Sequence, residues 1–341
     1  MKTENKFRKY FAYAMIPGCL LMSGTCVRAE EGWGTADWSG IEEDWLETEM
    51  PDSLQVTFVN FDEYWKKVAE VLLPYFSGDW ELDSFQMKDK SAAQNLGDDG
   101  LTIETADCAM SMMMWGPEIV RGMDAEQEPD WEVIRDTADR IAEDLDEKLE
   151  IRIGEPELWI GSGTNYVNFS IMLDESLESG SRDYQVDEVS MTNVQTSLIT
   201  LWFSGDEFYG AYLCKLPEQT EVISDGSAGV SPQECVDWML LGYTDPVKAE
   251  VQCVKLVYVP ESLNRDASVY RAVWEIRSQI TEQSGLSSEE TLYFDRATGM
   301  QTGVLSRSSG VRTDWDEVLE KESADRTEEE PGSEEETGGK R

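Results

Sequence analysis

Residues Val254 to Leu305 read VKLVYVPESLNRDASVYRAVWEIRSQITEQSGLSSEETLYFDRATGMQTGVL, and the period of this stretch decides the fold. Val254, Leu256 and Tyr258 form an apolar run that Pro260 closes. Tyr270, Ala272, Trp274 and Ile276 then alternate with Arg271, Glu275 and Arg277, the period of a strand with one buried face. Thr291 to Phe294 make a third run. Asp295-Arg296-Ala297-Thr298-Gly299 then reverses the chain, Asp capping the turn and Gly supplying a positive φ, before Met300 to Leu305 return. The pattern predicts an antiparallel meander.

Just upstream, Ser231, Pro232 and Glu234 spell a helix start, with proline at the first helical position and a capping box, and Gly242 marks the stop. Cys235, Trp238, Met239 and Gly242 are expected toward the sheet, which opens with the apolar run 247–259. A strand centred on Trp274, a polar loop, then Tyr293-Phe294-Asp295 and Thr298-Gly299 resemble the closing hairpin of PepSY-like modules, over about residues 231–305. The resemblance implies a secreted or lipid-tethered bacterial protein of Gram-positive type. It further implies a role, as in such families, in inhibiting or regulating extracytoplasmic enzymes and sensors.

The earlier part of the chain repeats the order of helix, then strands. Leu54, Val56 and Phe58 alternate as a strand. Asn60 caps a helix over 61–75, with Phe61, Tyr64, Trp65, Val68 and Leu72 on one stripe and Pro74 limiting its end. Residues 101–115 read as one long or two short strands. Asp130 caps a second helix, whose stripe is Trp131, Ile134, Ala138, Ile141, Ala142, Leu145 and Leu149. Its outer face pairs Arg135 with Asp139 and Asp144 with Lys148, contacts worth tenths of a kcal/mol. Strands follow at 158–160, 167–173, 198–203 and 208–213, the last two flanking the hairpin signal Ser204-Gly205-Asp206. The expected class is α+β, helices packed on antiparallel sheets in two successive helix-then-meander units. The expected lobes are 53–225 and 226–313.

The ends have a different composition. Lys2, Lys6, Arg8 and Lys9 precede an apolar stretch from Tyr10 to Met22, and Val27-Arg28-Ala29 places small residues where a signal peptidase cuts. Two processing routes stay open: cleavage after Ala29, with 1–29 a signal peptide, or lipidation at Cys26. Cys19 offers a second, poorer lipidation position. Residues 30–52 read as a flexible acidic tether and 314–341 as a disordered acidic tail. The whole chain has 28 basic and 70 acidic residues; losing residues 1–29 leaves 23 and 69, a formal charge of −46. Such a surface repels the phosphate backbone, so nucleic acid is excluded as a partner. Anionic membranes are excluded for the same reason, save through a lipid anchor, while cationic partners are permitted.

The chain contains no histidine. That removes Ser-His-Asp and Cys-His nucleophile systems, histidine-ligated zinc and the usual neutral-pH base. Paired carboxylates remain for hydrolysis, with Asp174 and Glu175 or Asp206 and Glu207 as examples. Met110, Met112 and Met114, with Cys108 near, are a candidate Cu(I) cluster, since alternate strand positions share a face and thioethers suit that ion; the competing reading is core. Cys108, Cys214, Cys235 and Cys253 admit three disulfide pairings, or stay as buried thiols. Gly161-Ser162-Gly163 lacks the lysine of a phosphate loop, and no motif calls for a cofactor. Trp159, Trp202 and Trp274 on strands suit either a core or a sugar platform. The expectation is an exported, non-catalytic binding or regulatory protein acting on an extracytoplasmic protein or envelope component. The alternative is a secreted carboxylate-dependent glycoside hydrolase or carbohydrate-binding protein.

Overall fold

The computed structural model describes residues 34–41, 50–87, 100–106, 109–116, 129–160, 165–174, 177–180, 184–187, 192–194, 197–224, 229–241, 243, 245–261, 269–305, 311–313, 315 and 318–319. The chain opens with β1 (Gly34–Asp37), β2 (Ser53–Phe58), α1 (Phe61–Leu72), β3 (Gln86–Met87), β4 (Thr102–Ala106), β5 (Ser111–Trp115) and α2 (Trp131–Leu149). It continues through β6 (Ile153–Ile160), β7 (Asn165–Asp174), β8 (Leu177–Glu178), β9 (Tyr184–Asp187), β10 (Thr192–Val194), β11 (Leu198–Ser204), β12 (Glu207–Cys214) and β13 (Pro217–Ser224). It closes with α3 (Pro232–Leu241), β14 (Val247–Pro260), β15 (Val269–Glu282), β16 (Ser287–Asp295), β17 (Gln301–Leu305) and β18 (Val311–Thr313). The class is α+β, as the alternation of helix and strand signals predicts. Two compact units share the chain: one holds 1–55, 183–194 and 221–306, the other 56–182, 195–220 and 307–341.

In the first unit the meander runs β14-β15-β16-β17, each antiparallel to the next. The pairing of β14 with β15 slips between Val251 and Cys253. One extra residue exchanges the two faces of a strand. Before the slip Val247, Ala249 and Val251 face α3, and after it Val254 and Leu256 do. Val257 and Val259 consequently turn to the other face, where they join Val273 and Tyr293 in a second apolar cluster. That cluster corrects the solvent-facing assignment of Glu275: it stands on this second face and is buried.

Two segments inside the expected tether are attached to this sheet. Gly34–Asp37 pairs in parallel with Val247–Glu250. Asp52 accepts a hydrogen bond at its carbonyl from the Ala272 amide at 3.0 Å. Tyr258 Oη donates to the Pro51 carbonyl at 2.7 Å, and Arg296 Nη1 donates to the Met50 carbonyl at 2.6 Å. Such attachments use backbone groups, so they leave no hydrophobic period to read.

The second unit is built on a sheet ordered β18-β6-β7-β11-β12-β5-β4-β3. The Asn60 side chain accepts from the Asp62 amide at 2.9 Å to start α1, which gives way at Leu73–Tyr75 to a 3₁₀ turn holding Pro74. The Asp130 side chain accepts from the Val133 amide at 3.1 Å to start α2, and Glu150 ends it with φ of 58°. Ile134, Ala138, Ile141 and Leu145 of α2 meet Phe61, Val68 and Leu72 of α1 and the inward residues of the sheet. On the outer face Arg135 stands 3.9 Å from Asp139, and Lys148 2.8 Å from Asp144.

Trp315 and Val318 lie beyond the point where apolar content thins, yet both are buried in this core. The Arg135 guanidinium sits 5.9 Å from the Trp315 ring centre. The expected tail from 314 therefore begins as part of the second unit, because single apolar residues among acids escape a compositional reading. Trp315→Ala should destabilise the second unit by about 3–5 kcal/mol, the range for emptying a buried aromatic site. Urea unfolding followed by circular dichroism measures it.

Candidate docking surface

The surface is assembled at the start of α3 and the turn after β16. Ser231 and Glu234 form the expected capping box: the Ser231 amide and hydroxyl donate to Glu234 Oε2 at 3.1 and 2.9 Å, and the Glu234 amide donates to Ser231 Oγ at 3.3 Å. Cys235, Val236, Met239 and Leu240 then face the sheet, a stripe at spacings of one, three and one. Trp238 does not join them, contrary to the sequence expectation. At helical spacing it falls on the rim of that stripe, and Gly242 lies outside the described residues.

The turn that receives Trp238 matches the reading of Asp295 to Gly299. Asp295 Oδ1 accepts from the Thr298 amide at 2.8 Å and from its hydroxyl at 2.7 Å. The Gly299 amide donates to the Asp295 carbonyl at 2.7 Å. Gly299 has φ of +68°, and a Cβ there would come within 2.5 Å of the Trp238 ring and 2.9 Å of Val230. Val230 is itself fixed: its amide donates to the Arg296 carbonyl at 2.8 Å, and its carbonyl accepts from Trp274 Nε1 at 2.8 Å. The indole of Trp238 thus lies on a glycine that no other residue could replace without displacing it.

What this leaves in water is apolar. Trp238 is 50% exposed, Leu241 one helical turn later 49%, and Met300 beside Gly299 52%. Scattered apolar residues on a surface are ordinary, but adjacent ones that include Trp mark contact sites. Glu234 and Asp237 flank Trp238 on the exposed side of α3. The Asp237 carboxyl is held above the usual carboxylate range by burial, and then by the charge of Glu234. The Cys235 thiol beneath is pushed up to about 12, chiefly by burial, with Glu234 and Asp295 adding to it.

The remaining candidates are dispersed. Met112 and Met114 share a face, and it is the core face of the second unit; Met113 faces the other way and Met110 sits in the turn before β5. Cys214 and Cys235 are buried and Cys253 half-buried, with no disulfide among the three. Cys108, Glu175, Gly161-Ser162-Gly163 and Cys26 lie outside the described residues. Asp174 is exposed at a strand end, while Asp206 lies in the β11–β12 turn and Glu207 begins β12, where Ser77 Oγ donates to it at 3.4 Å. Among the described residues no group of three histidine, cysteine or carboxylate side chains is placed to hold a metal ion. Trp274 is core. Nor, among the described residues, is any helix long and apolar enough to cross a membrane.

Trp202 and Trp159 belong to a feature that the sequence pattern did not reveal. Opposite α1 and α2, the registers align Trp115, Gly210, Trp202, Tyr166 and Trp159 in one row across five strands. Trp115 and Trp202 stack at 4.4 Å above Gly210, where a Cβ would stand 2.7 Å from the Trp115 ring. Trp159 and Tyr166 are parallel within 8° at 5.9 Å. Beside the row, Thr200 Oγ1 donates to Asn168 Oδ1 at 2.7 Å.

No family profile matches the chain, and no curated protein matches its sequence. Among solved structures, a protein from Eubacterium rectale ATCC 33656 is similar at 10% identity and a TM-score of 0.39, over 77% of this chain and 86% of that one. The C-terminal domain of Bacillus megaterium YpeB is similar at 10% identity and a TM-score of 0.38, over 74% of this chain and 99% of that one.

Two outcomes follow from the geometry of α3 and its turn. Gly299→Ala should cost about 1–3 kcal/mol, since it strains a positive φ and displaces Trp238 together; thermal unfolding reads it. Native Cys235 should resist iodoacetamide at neutral pH and label once strong denaturant exposes it, as mass spectrometry of the peptide will show.

Proposed function

We propose that this is an exported, non-catalytic binding protein whose unit from Ser231 to Leu305 is a PepSY-like module. It docks an extracytoplasmic protein or envelope component on the face formed by Trp238, Leu241 and Met300. The observation that carries the reading is the half-exposed Trp238, held in place by a glycine turn rather than left to fold inward. Support for export comes from the basic and apolar N-terminal segments, and support for a regulatory role from the resemblance of the hairpin. Strong acidity and the missing histidine favour binding over chemistry.

A carbohydrate-binding reading has one observation in its favour, the aromatic row from Trp115 to Trp159. Sugars stack on open ring faces, and here Trp115 and Trp202 spend one face each on the other. The row therefore offers edges more than platforms.

A photo-crosslinking residue in place of Leu241 should join the protein to one defined partner in envelope extracts. The same residue in place of Val133, exposed on α2, should not. Loss of the crosslink in a Trp238→Ala background is the expected result. An identical crosslink pattern from positions 241 and 133 would overturn the reading.

A further inference from the structure

Resting on that docking face, we propose that its occupant is a cationic amphipathic segment of the partner protein, apolar residues over Trp238, Leu241 and Met300, and Lys or Arg beside Glu234 and Asp237. Charge complementarity is the first argument. From residue 229 to 247 the sequence has Glu234, Asp237 and Asp245 and no lysine or arginine. Arg296 of the neighbouring turn and Arg271 of β15 are already engaged. Arg296 donates to the Met50 carbonyl and lies 3.9 Å from Asp52, and Arg271 bonds Glu261 and stands 3.7 Å from Asp295. Among the described residues, the charge that acts on the Asp237 carboxyl is that of Glu234. An incoming Lys or Arg supplies what the helix lacks.

Area is the second argument. Three half-exposed side chains offer a few hundred Å² at most, whereas a stable dimer or a folded partner covers roughly 800 Å² per side. A short segment laid over an apolar strip fits that size, in the manner of peptides that dock by a few anchors. The acidic stretches of this chain, 30–52 and 327–341, carry the wrong sign to fill the site themselves.

Isothermal titration of the full chain lacking residues 1–29 with a helical Lys/Leu peptide, and with its Glu/Leu counterpart, tests the proposal. Since a chain of this charge attracts cations everywhere, the variants discriminate. Trp238→Ala should weaken Lys/Leu binding about tenfold, a loss of about 1.4 kcal/mol. Asp237→Asn should weaken it roughly threefold and flatten its salt dependence, as expected for one lost exposed charge contact. Asp206→Asn, in the β11–β12 turn of the second unit, should change nothing. The Glu/Leu peptide should not bind. Equal affinity of wild type and Trp238→Ala for the Lys/Leu peptide would overturn the proposal, as would binding of the Glu/Leu peptide. So would a concentration-dependent dimer abolished by Trp238→Ala, which would give the face to a second copy. A Trp238-dependent crosslink to a partner, together with failure of this titration, would keep the docking reading and remove its cationic chemistry.

Discussion

One extra residue in β14, at the slip between Val251 and Cys253, governs how the first unit can be built. A regular strand commits alternate side chains to one face, and an amphipathic sheet of that kind has a single apolar side. By exchanging the faces midway, β14 gives α3 the residues Val247, Ala249, Val251, Val254 and Leu256. It still hands Val257 and Val259 to the opposite cluster. The helix, the meander and the turn under Trp238 all inherit their positions from that geometry. A shift of one residue would move Val247 and Val251 to the solvent-facing side of the strand, at a cost of roughly 1.5–3 kcal/mol apiece.

Much of the architecture was legible because it rests on short-range rules. The capping box of Ser231 and Glu234, the Asn60 and Asp130 caps, the stripe of α2 and the Asp295–Gly299 turn involve residues no more than a few positions apart, or a single period. The slip in β14 was not legible, since alternation on either side of it looks regular and only the partner strand reveals the change of phase. β1 escaped notice for a similar reason: four extended residues held by backbone bonds need no particular side chains.

The candidate surface was half visible. Helical spacing marks which residues of α3 are near the sheet, but Trp238 lies at the edge of that stripe, where the answer depends on what stands beside the helix. Gly299 stands there, and its missing side chain is what lets an indole rest outside the core. The aromatic row was hidden for a different reason. Trp115, Gly210, Trp202, Tyr166 and Trp159 come from five strands, and only register brings them into line.

The pairing of Gly34–Asp37 with Val247–Glu250, together with the attachment of Met50–Asp52 to residues 258, 272 and 296, joins opposite ends of the chain within one unit. Contacts of such sequence separation form late, because closing a long loop must precede any gain from the contact. During synthesis β1 has no partner strand until β14, in the last third of the chain, has emerged. Closure of this unit therefore waits on β14 to β17, the last of its paired strands to be synthesised.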